Sequence, residues 1–591
     1  MKSTIVYISC NLLVFLFAAI FLISSENKST LEKADTILTN GRIYTFSWPD
    51  PSTNGTPSNL APYTNGRWKH DAEALAIKEG KIIFVGSDKE VQQYMGDSTK
   101  RLDLKGATIF PGFVESHTHI QQLGEWHEEV ALRGLHSSEE IIASVYEKSL
   151  IIPKGEWIIG SGWDEAEFTN NYPDMNLLSE KVPDHPVMLN GLRGFGLLGN
   201  RAAFEKAGIT RDTPIPSGGE ILKDENGEPS GVLLNNAKGL LRSIVPERNM
   251  EQKKRIIEYG LSELAISGYV AVHHAGVRAD YMGVYETLAE ENKIPIRLHA
   301  MIAATKPNLE LVRKWIQNGP TSDPNAMLQI RSFKAFYDGS LGSRGAKMIE
   351  EYSDSPGHTG VSGMEYGFDS TLVKEVISAG FQVAIHAIGD QGNRDVLDFF
   401  ASTFSRSPKA KELRHRIEHA QIVHQEDFPR FGTLNIIASM EPAHVIEDMP
   451  WAPDRIGHER IKGAYAWRTI RQSGAKIIFN SDLAGTDHNL FYGLHSAVTR
   501  RNKNQEPKNG WSPEQCLTIE EAIRAYTSWV AYACKQEELT GTLETGKWAD
   551  ITVMDIDPMT ITKEESAKLL DGQILMTIVN GNIVYNKVSG D

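Results

Sequence analysis

The sequence predicts an α/β barrel of eight parallel strands, joined to a small β-sandwich domain built from both chain ends and preceded by an N-terminal hydrophobic helix. Three observations carry that reading. Short β-branched runs alternate with longer helical patterns through residues 108–535, hairpin patterns recur at both ends, and one long uncharged stretch opens the chain.

The 591 residues are about four times the ~150-residue domain prior, which excludes a lone small module. With 41% hydrophobic and 23% charged residues, the chain can bury a sizeable core, so disorder is excluded as its main state. A balance of 61 basic against 76 acidic residues gives −15, which speaks against a nucleic-acid partner. Three cysteines cannot make a disulfide framework, and sequence leaves Cys516 and Cys534 free to pair or to stay reduced.

The opening stretch reads as an address. Ile5 to Ile23 carries no charge, with Lys2 ahead of it and Glu26 and Lys28 behind. As a helix it would span roughly 28 Å, close to the hydrocarbon thickness of a bilayer. Ser24-Ser25 makes a poor cleavage site, so residues 1–30 are expected to be an uncleaved anchor, with a cleaved signal and secretion as the alternative. Lys2 on the inner side puts the bulk of the chain outside the cytoplasm.

The two ends form the expected β-sandwich, residues 31–107 and 536–591. Asp35–Phe46 reads as a strand pattern with an Asn40-Gly41 turn, and Ala74–Val85 as two strands around Glu79-Gly80. Trp48–Thr64 reads as an exposed loop. Ala549–Asp555 and Met576–Tyr585, the latter broken at Asn580-Gly581, repeat the pattern at the carboxyl end. Isolated hairpins are marginal, which favours one shared domain.

Residues 108–535 carry the barrel. Strands are expected at Thr108–Val114, Tyr269–His273, Ile296–Met301, Ser332–Tyr337, Gln382–His386, Arg416–His419, Ile436–Met440 and Ile477–Ser481. Residues 121–258 are too long for one βα unit and read as an insertion over the active face. Lys253–Ile266 and Ile519–Tyr532 read as outer helices.

Strand ends of such a barrel face its site, and several runs end in a metal-competent side chain. Period-two alternation points His117 and His119 to one side. Alone this is weak among 18 histidines, but later runs end near Lys334, His386, His419 and Asp482. Several histidines with an aspartate suit zinc or a similar borderline divalent ion.

These segments resemble the amidohydrolase superfamily, in its third large branch, which includes N-substituted formamide deformylases. The resemblance rests on Ala34–Tyr44 (ADTILTNGRIY), Phe110–His119 (FPGFVESHTH), Lys334–Ala346 (KAFYDGSLGSRGA), His386–Asp390 (HAIGD) and Arg414–Gln421 (RHRIEHAQ). It continues through Ser439–His444, Lys462–Arg468, Ser481-Asp482 and Gly541–Asp555 (GTLETGKWADITVMD). It implies that His117 and His119 ligate the more buried metal and that Lys334 bridges as a carbamate made from carbon dioxide. It implies further that His386 and His419 hold a second metal, and that Asp482 is both a ligand and the catalytic proton shuttle. The implied cofactor is one or two zinc ions. The implied reaction is hydrolysis of a non-peptide C–N bond in a small amide, an N-acyl or N-formyl amine, by a membrane-anchored enzyme for which a homodimer is open.

Lys334 can be weighed physically: an ammonium about 4 Å from a dication is repelled by roughly 8 kcal/mol at an effective dielectric of about 20. It is therefore neutral or carboxylated beside a metal. Glu418 is placed to orient a histidine ligand, with Arg416 on the same strand. Asp390 either holds a substrate amine or caps a helix, and Trp163, Asp164, His273, His444 and Trp451 fall at pocket-lining positions or in the packing around them. The chain departs from the family at Arg193-Gly194-Phe195, His274 and Asn480, and the ligand set survives all three. A deaminase on the same barrel is the main competitor, but the glutamate it needs three residues after His386 is Gly389 here. A phosphotriesterase-like esterase and a non-catalytic regulatory homologue complete the alternatives.

Overall fold

The computed structural model describes residues 31–163, 172–191, 196–216, 218–483 and 486–587. The expected anchor in residues 1–30, Asp164 and Arg193-Gly194-Phe195 lie outside the described residues. Among the described residues no helix is long and apolar enough to cross a membrane.

Eight strands form the barrel: β1 (Phe113–Thr118), β2 (Tyr269–Val277), β3 (Arg297–Ala303), β4 (Leu328–Phe336), β5 (Gln382–Ala387), β6 (Arg416–His419), β7 (Ile437–Met440) and β8 (Ile477–Phe479). They pair in chain order, every neighbour parallel. Val272, Leu298, Phe333, Val383, Ile385, Ile417 and Ile477 are fully buried, as a parallel sheet covered on both faces requires. Just past β8, a parallel bridge from Leu483 to Thr118 and a hydrogen bond from Ser116 Oγ to the Phe479 carbonyl (2.8 Å) nearly close the ring. Helix Met250–Ile266 opens on an Asn249–Gln252 capping box and buries Ile256, Ile257, Leu261 and Leu264 against the barrel.

The first expected run, Thr108–Val114, is two strands. Thr108–Pro111 joins a chain-end sheet antiparallel to Ile551–Met554, and the barrel strand begins only at Phe113. Gly112 makes the change possible: its N–H goes to the Asp550 carbonyl (2.9 Å), and a Cβ there would sit 2.2 Å from Val270.

The chain ends build two sheets. One contains Thr36–Thr39, Ala74–Lys78, Lys81–Gly86 and Lys100–Asp103; the other contains Arg42–Ile43, Thr108–Pro111, Ile551–Met554, Ile574–Val579 and Asn582–Asn586. Leu38, Leu75 and Ile77 of the first share one apolar cluster with Ile43, Ile109, Ile551, Val553 and Ile578 of the second. Asn40-Gly41 is not a hairpin turn. Asn40, in the left-handed region (φ 55°), passes the chain from one sheet to the other.

Two more expectations are corrected. The loop expected to be exposed begins buried: Trp48 is 6% exposed and its indole donates to Glu520 (2.8 Å), while Arg524 donates to the Trp48 carbonyl (2.9 Å). The expected helix Ile519–Tyr532 is two, Ile519–Tyr526 and Ser528–Ala533, separated by Thr527 at φ −130°, ψ −96°. The insertion holds a six-stranded sheet, with its sheet-forming part spanning Val130–Ala131 to Pro229–Asn235. Helix Met250–Ile266 belongs to the barrel ring.

Candidate metal centre

Strand ends bring Lys334 and four histidines together with Asp482. His117 and His119 close β1, Lys334 lies near the end of β4, His386 near the end of β5 and His419 ends β6. Asp482 follows β8. The His117 and His419 ring centres are 5.2 Å apart, those of His386 and His419 4.6 Å, and those of His117 and His119 5.7 Å. Lys334 Nζ is 3.1 Å from His117 Nε2. Asp482 Oδ1 lies 3.2 Å from His119 Nε2 and 3.5 Å from His117 Nε2.

What stands behind each ring fixes which nitrogen faces inward. Glu418 Oε2 is in close contact with His117 Nδ1, so that nitrogen donates and Nε2 keeps its lone pair for the centre. Glu441 Oε1 is 3.2 Å from His419 Nδ1, again leaving Nε2 inward. His386 is reversed: its Nε2 faces the Gly339 carbonyl (3.4 Å) and Asp338 (3.5 Å), leaving Nδ1 free. Burial, reinforced by Lys334, pushes His117 down to about 4, and burial followed by His419 takes His386 well below the usual histidine value. Both rings are neutral, as ligation requires.

Lys334 is buried, which pushes its ammonium below the usual lysine range. Burial pushes the Asp482 carboxyl up, but the imidazoles of His119, His117 and His419 around it outweigh burial and hold it well below the ordinary carboxylate value. Its Oδ1 is buried without a hydrogen-bond partner although two imidazole nitrogens stand nearby. An orphaned carboxylate oxygen beside two imidazole nitrogens fits a divalent cation, and His117, His119 and Asp482 offer donor atoms all within 4.8 Å of one another.

The backbone is strained at this centre. His419 (φ 74°), Ala420 (φ 41°) and Asp482 (φ 49°) adopt left-handed conformations, each costing about 1–3 kcal/mol. Glu115 offsets part of that cost at Asp482: it is fully buried and accepts from Ser481 N (3.0 Å) and Ser481 Oγ (2.9 Å), pinning the turn that aims the aspartate.

Glu115, Asp338 and Glu441 were not among the residues expected from sequence. A signal existed for each. Glu115 alternates with His117 and His119, Asp338 alternates with Lys334 and Phe336, and Glu441 follows β7 directly.

The remaining expected residues divide. Arg416, fully buried, reaches Glu418 Oε1 (2.8 Å) and His273 Nδ1 (3.2 Å). His273 lies deeper in the barrel, against His299 and Cys534. His444 stands between Asp448 (3.2 Å) and Glu441 (3.6 Å); burial opposes its charge, but these carboxylates lift it to about 9. Trp451 packs beside Gly342 with Arg455 over its ring. Asp390 is drawn away from the centre: its Oδ1 accepts from Ile349 N (2.8 Å) and Gln391 N (3.0 Å), and Gly389 is the helix cap. Trp163 is not a pocket wall. It is wholly buried in the core of the insertion, its indole donating to the Leu189 carbonyl (3.0 Å). Cys516 and Cys534 are both free thiols.

The profile of the amidohydrolase family matches residues 100–585. The chain is 32% identical over 522 residues to "Putative amidohydrolase YtcJ" of Bacillus subtilis (strain 168), covering 87% of this chain and 96% of that one. It is 25% identical over 530 residues to the N-substituted formamide deformylase of Arthrobacter pascens, covering 87% and 95%. Among solved structures, an uncharacterized metal-dependent hydrolase from Pyrococcus horikoshii OT3 superposes with a TM-score of 0.70 at 27% identity, over 90% of this chain and 99% of the other. The chain belongs to the amidohydrolase family and is a hydrolase acting on carbon–nitrogen bonds.

Proposed function

We propose that the protein hydrolyses a small N-acyl or N-formyl amine, and that His117, His119, His386, His419 and Asp482, with Lys334 once carboxylated, would hold one or two zinc ions. The observation that carries this reading is Asp482 Oδ1, buried and unpartnered beside the Nε2 atoms of His117 and His119. When bound, a divalent cation here supplies Lewis acidity and eases ionisation of water near neutral pH. Asp482 takes a proton on its carboxylate from the attacking water and delivers it to the departing amine nitrogen. The buried, neutral-leaning amine of Lys334 is the form that reacts with carbon dioxide, and carboxylation would turn a repelled ammonium into an anionic ligand. Glu418, Glu441 and Asp338 hold the imidazoles.

The N-substituted formamide deformylase relative supports an amide of this class. The two chain-end sheets, on their shared apolar cluster, serve as the leaves of one β-sandwich. The uncharged run Ile5–Ile23 supports anchoring on the outer side of a membrane, which fractionation of tagged protein would check. The decisive experiment pairs metal analysis with a panel of formamides, N-acyl amino acids and cyclic ureides, following released amine. Asp482→Asn is expected to retain zinc while losing about 10²–10⁴-fold in turnover. Turnover near that of the parent would refute the shuttle role.

A further inference from the structure

A line of buried polar contacts runs from the centre down through the barrel. Glu418 uses Oε2 for His117, and its Oε1 lies 2.8 Å from Arg416 Nε. Arg416 Nη1 then donates to His273 Nδ1 at 3.2 Å, and His273 Nε2 is 3.5 Å from Cys534 Sγ. Arg416 and Glu418 are completely buried, and His273 nearly so. Cys534 caps the carboxyl end of helix Ser528–Ala533, which lies outside the eight barrel strands.

The direction of each hydrogen bond follows from chemistry. A guanidinium only donates, so His273 Nδ1 must accept, and the ring proton of the neutral imidazole sits on Nε2. That N–H faces the Cys534 sulfur, which is therefore an acceptor. The donor atoms of His273, His299 and Cys534 also lie within 4.8 Å of one another, but a cation there would have to displace the His273 proton and break its contact with Cys534. A cavity of about 30 Å³ beside them, lined also by Val530, Ala531 and Gln536, has room for little more than one water.

We propose that Arg416 is a positioning residue for His117, and that His273 and Cys534 anchor it, so that the helix ending at Cys534 holds the metal-facing imidazole in place. The inference rests on the reading of His117 as a metal ligand. Arg416 pairs with Glu418 on the oxygen that His117 does not use, an ion pair outside hydrogen-bond alignment, and its charge keeps the buried carboxylate ionised and in place behind the ligating ring. Planar guanidinium geometry is needed because one group serves two partners in different directions; a lysine offers a single point charge.

The test uses the full-length protein, stripped of metal and titrated with zinc alone against a competing chelator, with zinc stoichiometry, kcat and KM read in parallel. Arg416→Met is expected to weaken zinc binding about 10–100-fold, the range of other outer-sphere partners. Arg416→Lys is expected to recover only part of this, and it decides the case should the methionine variant fail to fold. Cys534→Ala is expected to weaken zinc by less than about tenfold at unchanged stoichiometry, and Cys534→Ser, which keeps an acceptor, to restore most of the loss. A fold defect alone would lower thermal stability without moving zinc affinity, and parental affinity in both Arg416 variants overturns the proposal. Loss of one zinc equivalent in Cys534→Ala also overturns it, since the three groups would then be a metal site themselves. His117→Asn separates the two readings: parental zinc binding there defeats the metal-ligand assignment, whereas its loss alongside parental Arg416 variants defeats only the anchor.

Discussion

Two places in this barrel each gather three candidate donors within 4.8 Å: His117, His119 and Asp482 at the mouth, and His273, His299 and Cys534 further down. They differ in what stands behind the rings. At the mouth, Glu418 and the Gly339 carbonyl take the outward N–H groups of His117 and His386, and Glu441 lies 3.2 Å behind His419 Nδ1 without an aligned hydrogen bond, so acceptors stand behind all three rings. Lower down, a guanidinium stands behind His273 and turns an N–H inward, while His299 Nε2 bonds the Ser332 hydroxyl at 2.8 Å. Burial drives His299 down to about 3 and the Cys534 thiol up to about 11, so that group is neutral and hydrogen-bonded. Proximity of donors is the same in the two places, and the proposed assignment of metal to the mouth alone rests on the sign of the group behind each donor.

The contrast breaks most sharply at the ligands. His117→Asn is expected to lose zinc and at least about 10³-fold in turnover, whereas His299→Gln should keep parental zinc content. Elemental analysis of both proteins, purified alike, checks the pair; equal zinc loss in the two would erase the distinction. A smaller effect is expected one layer out. Glu441→Gln should weaken zinc about 10–100-fold through His419 while leaving the fold intact, measured by chelator competition and circular dichroism. Unchanged affinity would mean that Glu441 serves only its neighbour His444.

The mouth was more legible in the sequence than the lower cluster, for physical reasons. Parallel strands buried on both faces show as apolar runs, so strands such as Gln382–Ala387 and Ile437–Met440 lie within a residue of where the sequence puts them. The donors proposed as ligands sit at the ends of those runs, which is why the sequence points to them. Tertiary pairing could not: nothing local in Thr108–Val114 says that its first half pairs with Ile551–Met554 from the other end of the chain. Pro and Gly in Trp48–Thr64 announce irregular backbone but not exposure, and so Trp48 was misjudged. Trp163 fits a pocket wall and a core equally well until its neighbours are known. The link from Cys534 to His273 joins residues 261 positions apart and has no local pattern at all.

The smallest expected effect sharpens the comparison through pH: His117 and His386 at the mouth are depressed by burial just as His299 is, but His444 beside them is perturbed in the opposite direction. His444 at the mouth is lifted to about 9 from an ordinary 6.5 by Asp448 and Glu441, which outweigh its burial. Its folded-state value exceeds its unfolded one, so its contribution is complete below about pH 6.5 and is lost as pH rises toward 9. His299 is depressed to about 3 by burial and then by Arg416. Its contribution is present above about pH 6.5 and is lost as pH falls toward 3. At about 1.4 kcal/mol per pH unit the two shifts set upper limits of roughly 3 and 5 kcal/mol, against a background of many other titrating groups. Denaturant midpoints followed across pH should therefore show that His444→Gln flattens the alkaline limb and His299→Gln the acid limb, each leaving the other limb in place. If both substitutions flattened the same limb, the opposite charge environments assigned to His444 and His299 would be wrong, and the carboxylates around His444 would not outweigh its burial.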